Sequence, residues 1–217
     1  MIAAAAVAAV VLLSGVIGYV STRWLAGRIP RSAPRGAPRR TVSVAVGIGT
    51  SLLVWLAVMA FGLTWTGAAY AFFAIAGMQL AEIDRRSRLL PNALVGIAFA
   101  GALVLLTVTA AIEYQWGRVL SAAIGAAALF VLYLLLALFS RGGLGMGDVK
   151  FASVIGLYLG FNGLGLVLYG ALGGFVIGAV IGLVLLAVRR ADLQSAVPFG
   201  PSMFAGAIVV LVLAHSV

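Results

Sequence analysis

The residues best able to do chemistry in this 217-residue chain are two aspartates. Asp148 lies in Gly145-Met146-Gly147-Asp148-Val149-Lys150, where one apolar run has ended and another begins. Asp84 closes an earlier apolar run and opens Asp84-Arg85-Arg86-Ser87-Arg88-Leu89-Leu90-Pro91-Asn92. Ionisable groups are expensive near lipid, so acids at the edge of so apolar a chain are functional candidates. The other acids have plainer uses. Glu82 sits two residues from Asp84 and points away from it on a helix, which suits pairing with a nearby arginine. Glu113 belongs to a short polar connection, and Asp192 follows Arg189 and Arg190 closely enough to pair with them. The chain has no cysteine and one histidine, His215, close to its C-terminus. That excludes thiol catalysis, disulfides and cysteine-zinc sites and argues against a histidine triad or metal cluster. No metal or cofactor is implied.

Two carboxylates close enough to share one proton cannot both ionise easily, so one serves as base and the other as acid. The base activates water against a peptide carbonyl while the acid protonates the carbonyl oxygen. Asp148 is placed at a helix N-terminus, where the helix dipole favours the anion, and Asp84 near a helix C-terminus, where it does not. Asp148 is therefore read as the resting base and Asp84 as the protonated acid, with the reverse assignment left open by Arg85, Arg86 and Arg88, whose charges favour an ionised Asp84. The glycines before Asp148 are expected to allow close backbone approach and unusual dihedral angles, and Pro91 is placed to start a helix.

These acids need a scaffold, and composition defines it. The chain is 64% hydrophobic and 9% charged, with a mean hydropathy of +1.22, whereas soluble domains are about a quarter charged. Eight apolar segments lie at about 2–20, 42–61, 67–83, 91–112, 119–139, 149–160, 164–188 and 199–215. Several approach the roughly 20 residues that span a bilayer, and none alternates as a barrel strand does. The fold class is an all-α polytopic membrane protein of about eight transmembrane helices. It is read as one membrane-embedded domain over 1–217, with an N-terminal helix and cytoplasmic edge (1–30), a basic linker (31–40) and a helix bundle (41–217). The apolar N-terminus lacks the basic start of a cleavable signal and is read as a first spanning helix.

The net charge of +9 does not point to nucleic acid, because the cations sit in connections and not on one basic face. Every Lys and Arg except Arg118 follows the first, third, fifth or seventh apolar segment. The positive-inside rule puts those connections in the cytoplasm, both termini outside and both aspartates at the cytoplasmic edge. Trp65, Tyr114 and Trp116 fit an aromatic belt at the opposite interface. Gly170, Gly174, Gly178 and Gly182 recur every four residues, a smooth stripe for close helix packing.

Gly145–Lys150 resembles the G-x-G-D-x-K signature of type IV prepilin peptidases, membrane aspartyl proteases of the G-x-G-D class. Asp84 with Pro91 resembles that family's other aspartate motif, and Pro198-Phe199-Gly200-Pro201 its late P-F-G-P. Gly15, Gly18 and Arg28-Ile29-Pro30 are similar, in degraded form, to its opening G-x-x-G-S-F…R-x-P. The resemblance implies a multi-pass protein of the bacterial inner membrane that cleaves a short basic leader from prepilin or pseudopilin precursors at the cytoplasmic face. It carries Asp84 and Asp148 over as the catalytic pair, with Gly145, Gly147 and Lys150 shaping the second aspartate's loop. Where many members insert a domain with paired C-x-x-C motifs, this chain has the short Arg31–Arg40 stretch, so N-methylation of the product is not expected. Arg86 stands where the family often has an acid.

Other readings of the same residues are a related protease cutting inside a transmembrane helix, a proton-coupled transporter and a non-catalytic membrane scaffold. Ile83 precedes the first aspartate where intramembrane proteases carry tyrosine. A transporter calls for acids near mid-bilayer, often in inverted repeats. The acid and base roles have a direct test: Asp84→Asn should remove one ionisation from the pH–rate profile, and a profile keeping the same ionisations would contradict the assignment.

Overall fold

The computed structural model describes residues 2–26, 40–87, 90–139, 144–188 and 198–216, and all regular structure among them is helical. Eight helices occupy the eight apolar segments: α1 (Ile2–Ala26), α2 (Arg40–Phe61), α3 (Trp65–Ser87), α4 (Asn92–Ile112), α5 (Trp116–Phe139), α6 (Met146–Asn162), α7 (Leu164–Ala187) and α8 (Gly200–Ser216). Most of the Arg31–Arg40 linker, Arg28, Ile29, Pro30, Arg88, Arg141, Arg189, Arg190 and Asp192 lie outside the described residues.

Five helices are long and apolar enough to cross a membrane: α1, α2, α4, α5 and α7. Their outward faces carry leucine, valine and isoleucine, Leu12 and Leu138 each 69% exposed. Soluble monomers rarely leave such apolar area uncovered. The remaining three helices depart from the expectation for a physical reason. Helix α3 has 23 residues but ends in a charged turn, and α6 and α8 have 17 residues each, about 26 Å at 1.5 Å per residue. Helices α3 and α6 are also the buried ones, with thirteen residues of α3 and twelve of α6 inside the protein. Protein covers them where lipid would otherwise have to.

The helices form two compact units, Met1–Trp116 and Gly117–Val217. In the first, α1 and α2 cross closely. A Cβ on Gly15 would strike the Ser51 hydroxyl, and one on Gly47 would lie 2.9 Å from the Gly15 carbonyl oxygen. Helices α2 and α3 run antiparallel through a tight turn. Gly62, at φ +70°, ends α2 with its N–H on Val58 O at 2.8 Å, a left-handed stop that glycine adopts without strain. The Thr64 hydroxyl then accepts the Gly67 N–H at 3.1 Å and caps α3. The Glu113 carboxylate, at the end of α4, accepts a 2.7 Å bond from Thr66. Trp65, Tyr114 and Trp116 are exposed around these turns.

The second unit is built on the crossing of α5 and α6, where two backbones touch. A Cβ on Gly125 would lie 2.5 Å from Gly156 O and 2.9 Å from the Gly160 Cα, and one on Gly160 would meet Ser121 O. Small residues permit this approach, and van der Waals contact holds it where lipid supplies no hydrophobic drive. Arg118 fastens the far end: its Nε donates to Phe161 O at 2.9 Å and its guanidinium lies 4.0 Å from the Phe161 ring centre. The glycine stripe of α7 divides among neighbours. Gly170 faces Leu159 of α6, Gly174 and Gly178 face α8, and Gly182 has nothing within 4 Å.

Gly156→Leu should therefore disrupt α5–α6 packing, at about 1–3 kcal/mol or more for overpacking a tight contact. Gly182→Ala should be neutral or stabilising by up to about 1 kcal/mol through helix propensity. Thermal unfolding of the purified proteins in detergent distinguishes the two cases.

Candidate active site

The two aspartates sit at the ends of the two buried helices. Asp84 is in the last turn of α3 and 3% exposed; Asp148 is in the first turn of α6 and 8% exposed. Their dipole environments are opposite, as the sequence indicates: α3 directs its C-terminus and α6 its N-terminus toward the acid. The apolar pattern stops at Ile83, but α3 continues through Asp84, Arg85 and Arg86 to Ser87. Asp84 is thus held by regular helix and not by a loop.

Asp148 is the third residue of α6 and Gly145 its N-cap. The Asp148 Oδ2 accepts the Gly145 N–H at 3.3 Å, while the Asp148 N–H donates to Gly145 O at 3.0 Å. This exchange satisfies polar groups that a helix start otherwise leaves orphaned. The expectation of unusual dihedrals is not met. Gly145 has φ −77° and ψ 147°, ordinary for an N-cap, and neither it nor Gly147 has positive φ. A Cβ on Gly145 would lie 3.5 Å from Asp148 Oδ2, an ordinary contact, so Gly145 borders the carboxylate closely. Gly147 is within the first helical turn, and Lys150, half-buried, is one turn into α6.

Pro91 is the N-cap of α4, at φ −61° and ψ 126°, and its carbonyl accepts the N–H groups of Leu94 and Val95 at 3.0 and 3.2 Å. Proline's fixed φ suits a helix entrance. Glu82 pairs with an arginine as expected: Arg85 Nε and Nη2 donate to its two oxygens at 2.7 and 2.9 Å. Asp84 and Pro91 belong to the first unit, and Gly145, Gly147, Asp148 and Lys150 to the second.

The sequence does not single out the polar groups around these ends. In the first unit the buried Gln79 amide donates to Gly18 O at 3.2 Å, and the Thr22 hydroxyl lies 3.1 Å from Gln79 Oε1. Ser43 is fully buried and its hydroxyl has no hydrogen-bond partner among the described residues. Gly49 of α2 faces Met78 of α3, so the antiparallel register sets Ser43, six residues before Gly49, level with Asp84, six after Met78. In the second unit, buried Tyr133 of α5 stacks on Phe175 of α7 with ring centres 5.4 Å apart. Phe199, from the Pro198–Pro201 segment, lies against both rings at 6.0 and 5.4 Å. A buried polar side chain in an apolar run has no sequence signature of its own, because its neighbours come from other helices.

Fold and site together define a helical membrane protein with an acid at the end of each buried helix. The model of the type IV leader peptidase family matches residues 71–186, over half the chain and including both aspartates. The chain belongs to that family. It is similar to the prepilin leader peptidase/N-methyltransferase of Stutzerimonas stutzeri, 30% identical over 185 residues, covering 82% of this chain and 60% of that protein. The protein of the same name from Xanthomonas campestris pv. campestris is 29% identical over 177 residues, covering 79% of this chain and 58% of its own length. That of Burkholderia pseudomallei strain K96243 is 35% identical over 157 residues, or 67% and 47%. The chain thus spans about 60% or less of the length of these relatives. No solved structure matches it.

The helix cap makes a prediction independent of activity. Asp148→Asn keeps an oxygen that can accept the Gly145 N–H, whereas Asp148→Ala removes it. Asp148→Ala should lose about 0.5–2 kcal/mol of stability, and Asp148→Asn less, as read from detergent-solubilised thermal melts.

Proposed function

We propose that this chain is an aspartic endopeptidase of the bacterial inner membrane. It cleaves the short basic leader from type IV prepilin-like precursors. Asp84 and Asp148 form the dyad, Asp148 activating water and Asp84 protonating the carbonyl oxygen. The carrying observation is that the family match includes both acids and that each is buried at the end of a buried helix. Buried acids of this kind are costly to maintain and mark functional sites. In this reading Gly145 caps the helix start that carries the water-activating carboxylate, Gly147 and Lys150 shape the turn that presents it, and Pro91 sets the chain's path after Asp84.

If α3 to α6 each cross the membrane once, the end of α3 and the start of α6 fall on one side. The cation pattern assigns that side to the cytoplasm and both termini to the outside. A precursor's apolar helix would lie against the bundle in the bilayer with its leader at the aspartates. The helices work as a single peptidase domain over 1–217. The relatives' name includes N-methyltransferase; here we assign leader cleavage alone, since this chain carries the short Arg31–Arg40 linker and no cysteine.

The test is co-expression with pilin-like precursors in a host lacking its own processing enzyme, with precursor mass read by mass spectrometry. Wild type should remove the leader, and Asp84→Ala or Asp148→Ala should leave the precursor intact, a loss of at least about a hundredfold. An unmethylated product is expected. Cleavage surviving both substitutions would refute the dyad. A wild type inactive on every precursor would favour the scaffold or proton-coupled transporter.

A further inference from the structure

The crossing of α5 and α6 fixes a register that extends to the site. Gly125 of α5 packs on Gly156 of α6, and Ser121 O faces Gly160, so the helices run antiparallel. Tyr133 lies eight residues beyond Gly125, and Asp148 eight residues before Gly156. Both displacements are about 12 Å in the same direction, which brings Tyr133 level with Asp148. Tyr133 also continues the buried stripe of α5, following Ala122, Gly125, Ala126 and Leu129. Its ring is 1% exposed, and the Asp148 carboxylate is within electrostatic reach of the phenol.

The tyrosine is held on several sides. Phe175 stacks on it at 8° between ring planes and Phe199 closes at 46°. Its hydroxyl oxygen lies 3.6 Å from where a Gly174 Cβ would stand, so the phenol tip reaches the face of α7 that packs on α8. Phenylalanine would supply the same stacked surface. A phenol adds a polar tip, which has to be satisfied when buried.

We infer that Tyr133 is a positioning residue for Asp148, its phenolic O–H serving that carboxylate as hydrogen-bond donor through one bridging water. Phe199 of the Pro198–Pro201 segment and Phe175 clamp the ring in that role. The inference rests on the reading of Asp148 as the catalytic base. A donor on the carboxylate favours its ionised form, so Asp148 holds its charge to lower pH than it would beside an apolar neighbour.

The test measures Asp148 itself, by infrared titration of the full-length protein in detergent micelles. The Asp148 carboxyl band is identified by its loss in Asp148→Asn. Tyr133→Phe keeps the ring and removes the donor, so the midpoint of that band should rise by about one pH unit. The acid limb of the leader-cleavage profile should rise with it, with about a tenfold lower rate below the new midpoint. Phe199→Leu, which keeps the phenol but loosens its clamp, should move the midpoint the same way by less. An unmoved midpoint in Tyr133→Phe, or in Phe199→Leu if Tyr133→Phe does not accumulate, would overturn the inference. Shifted midpoints without any wild-type cleavage would uphold it and refute the peptidase reading. Normal cleavage with an unmoved midpoint would do the reverse.

Discussion

Removing a carboxylate from water costs several kcal/mol unless hydrogen bonds, dipoles or opposite charges replace the lost solvation. The chain meets that constraint twice, and much of the structure follows from how it does so. Asp84 and Asp148 are both at helix ends, where backbone groups lack partners within the helix. The helices that carry them are the ones most enclosed by protein. Enclosure frees α3 and α6 from having to be as apolar as a lipid-facing span. An acid, a glutamine and a second acid can therefore share the last three turns of α3, while α1, α2, α4, α5 and α7 carry the apolar surface.

Holding α6 in place calls for contact between backbones. Gly125, Gly156 and Gly160 remove the side chains that would keep α5 and α6 apart, and Arg118 joins α5 to a carbonyl at the end of α6 farthest from Asp148. A cation near helix C-terminal carbonyls is also favourable to the dipole. Arg118 is the cation that the charge pattern leaves on the opposite side, and this contact gives it a structural use. The helix is thereby held by packing at its C-terminal end and along its middle. Rigid elements present catalytic groups more accurately than loops do.

The spans and both aspartates were legible because apolar runs of helical length and isolated acids are local signals. The start of α4 was legible from Pro91 for the same reason. Three features were not. The apolar pattern ends at Ile83, yet α3 runs to Ser87, because the Glu82–Arg85 pair one turn apart supports a turn that hydropathy cannot see. The four-residue glycine repeat of α7 is conspicuous in sequence but meets several partners, whereas the shorter Gly156–Gly160 pair brings the backbones of α5 and α6 into contact. Which small residues matter depends on the register of a helix elsewhere in the chain. Tyr133 looks like any aromatic in an apolar run until α7 and the Pro198–Pro201 segment are packed around it.

The two helix ends also bear on how identical side chains could serve opposite roles. Asp148 receives a backbone N–H and lies at the positive end of α6, with partial charges near +0.5 on such a terminus. Asp84 lies at the negative end of α3, which by itself disfavours a second negative charge. Arg85 works against that bias, but its guanidinium is engaged by Glu82 through two hydrogen bonds. Glu82 thus engages one of the two cations, Arg85 and Arg86, that α3 carries in the same turn as Asp84. An acid two residues from the proposed dyad, pointing elsewhere, in this way draws one cation of that turn away from the Asp84 carboxylate.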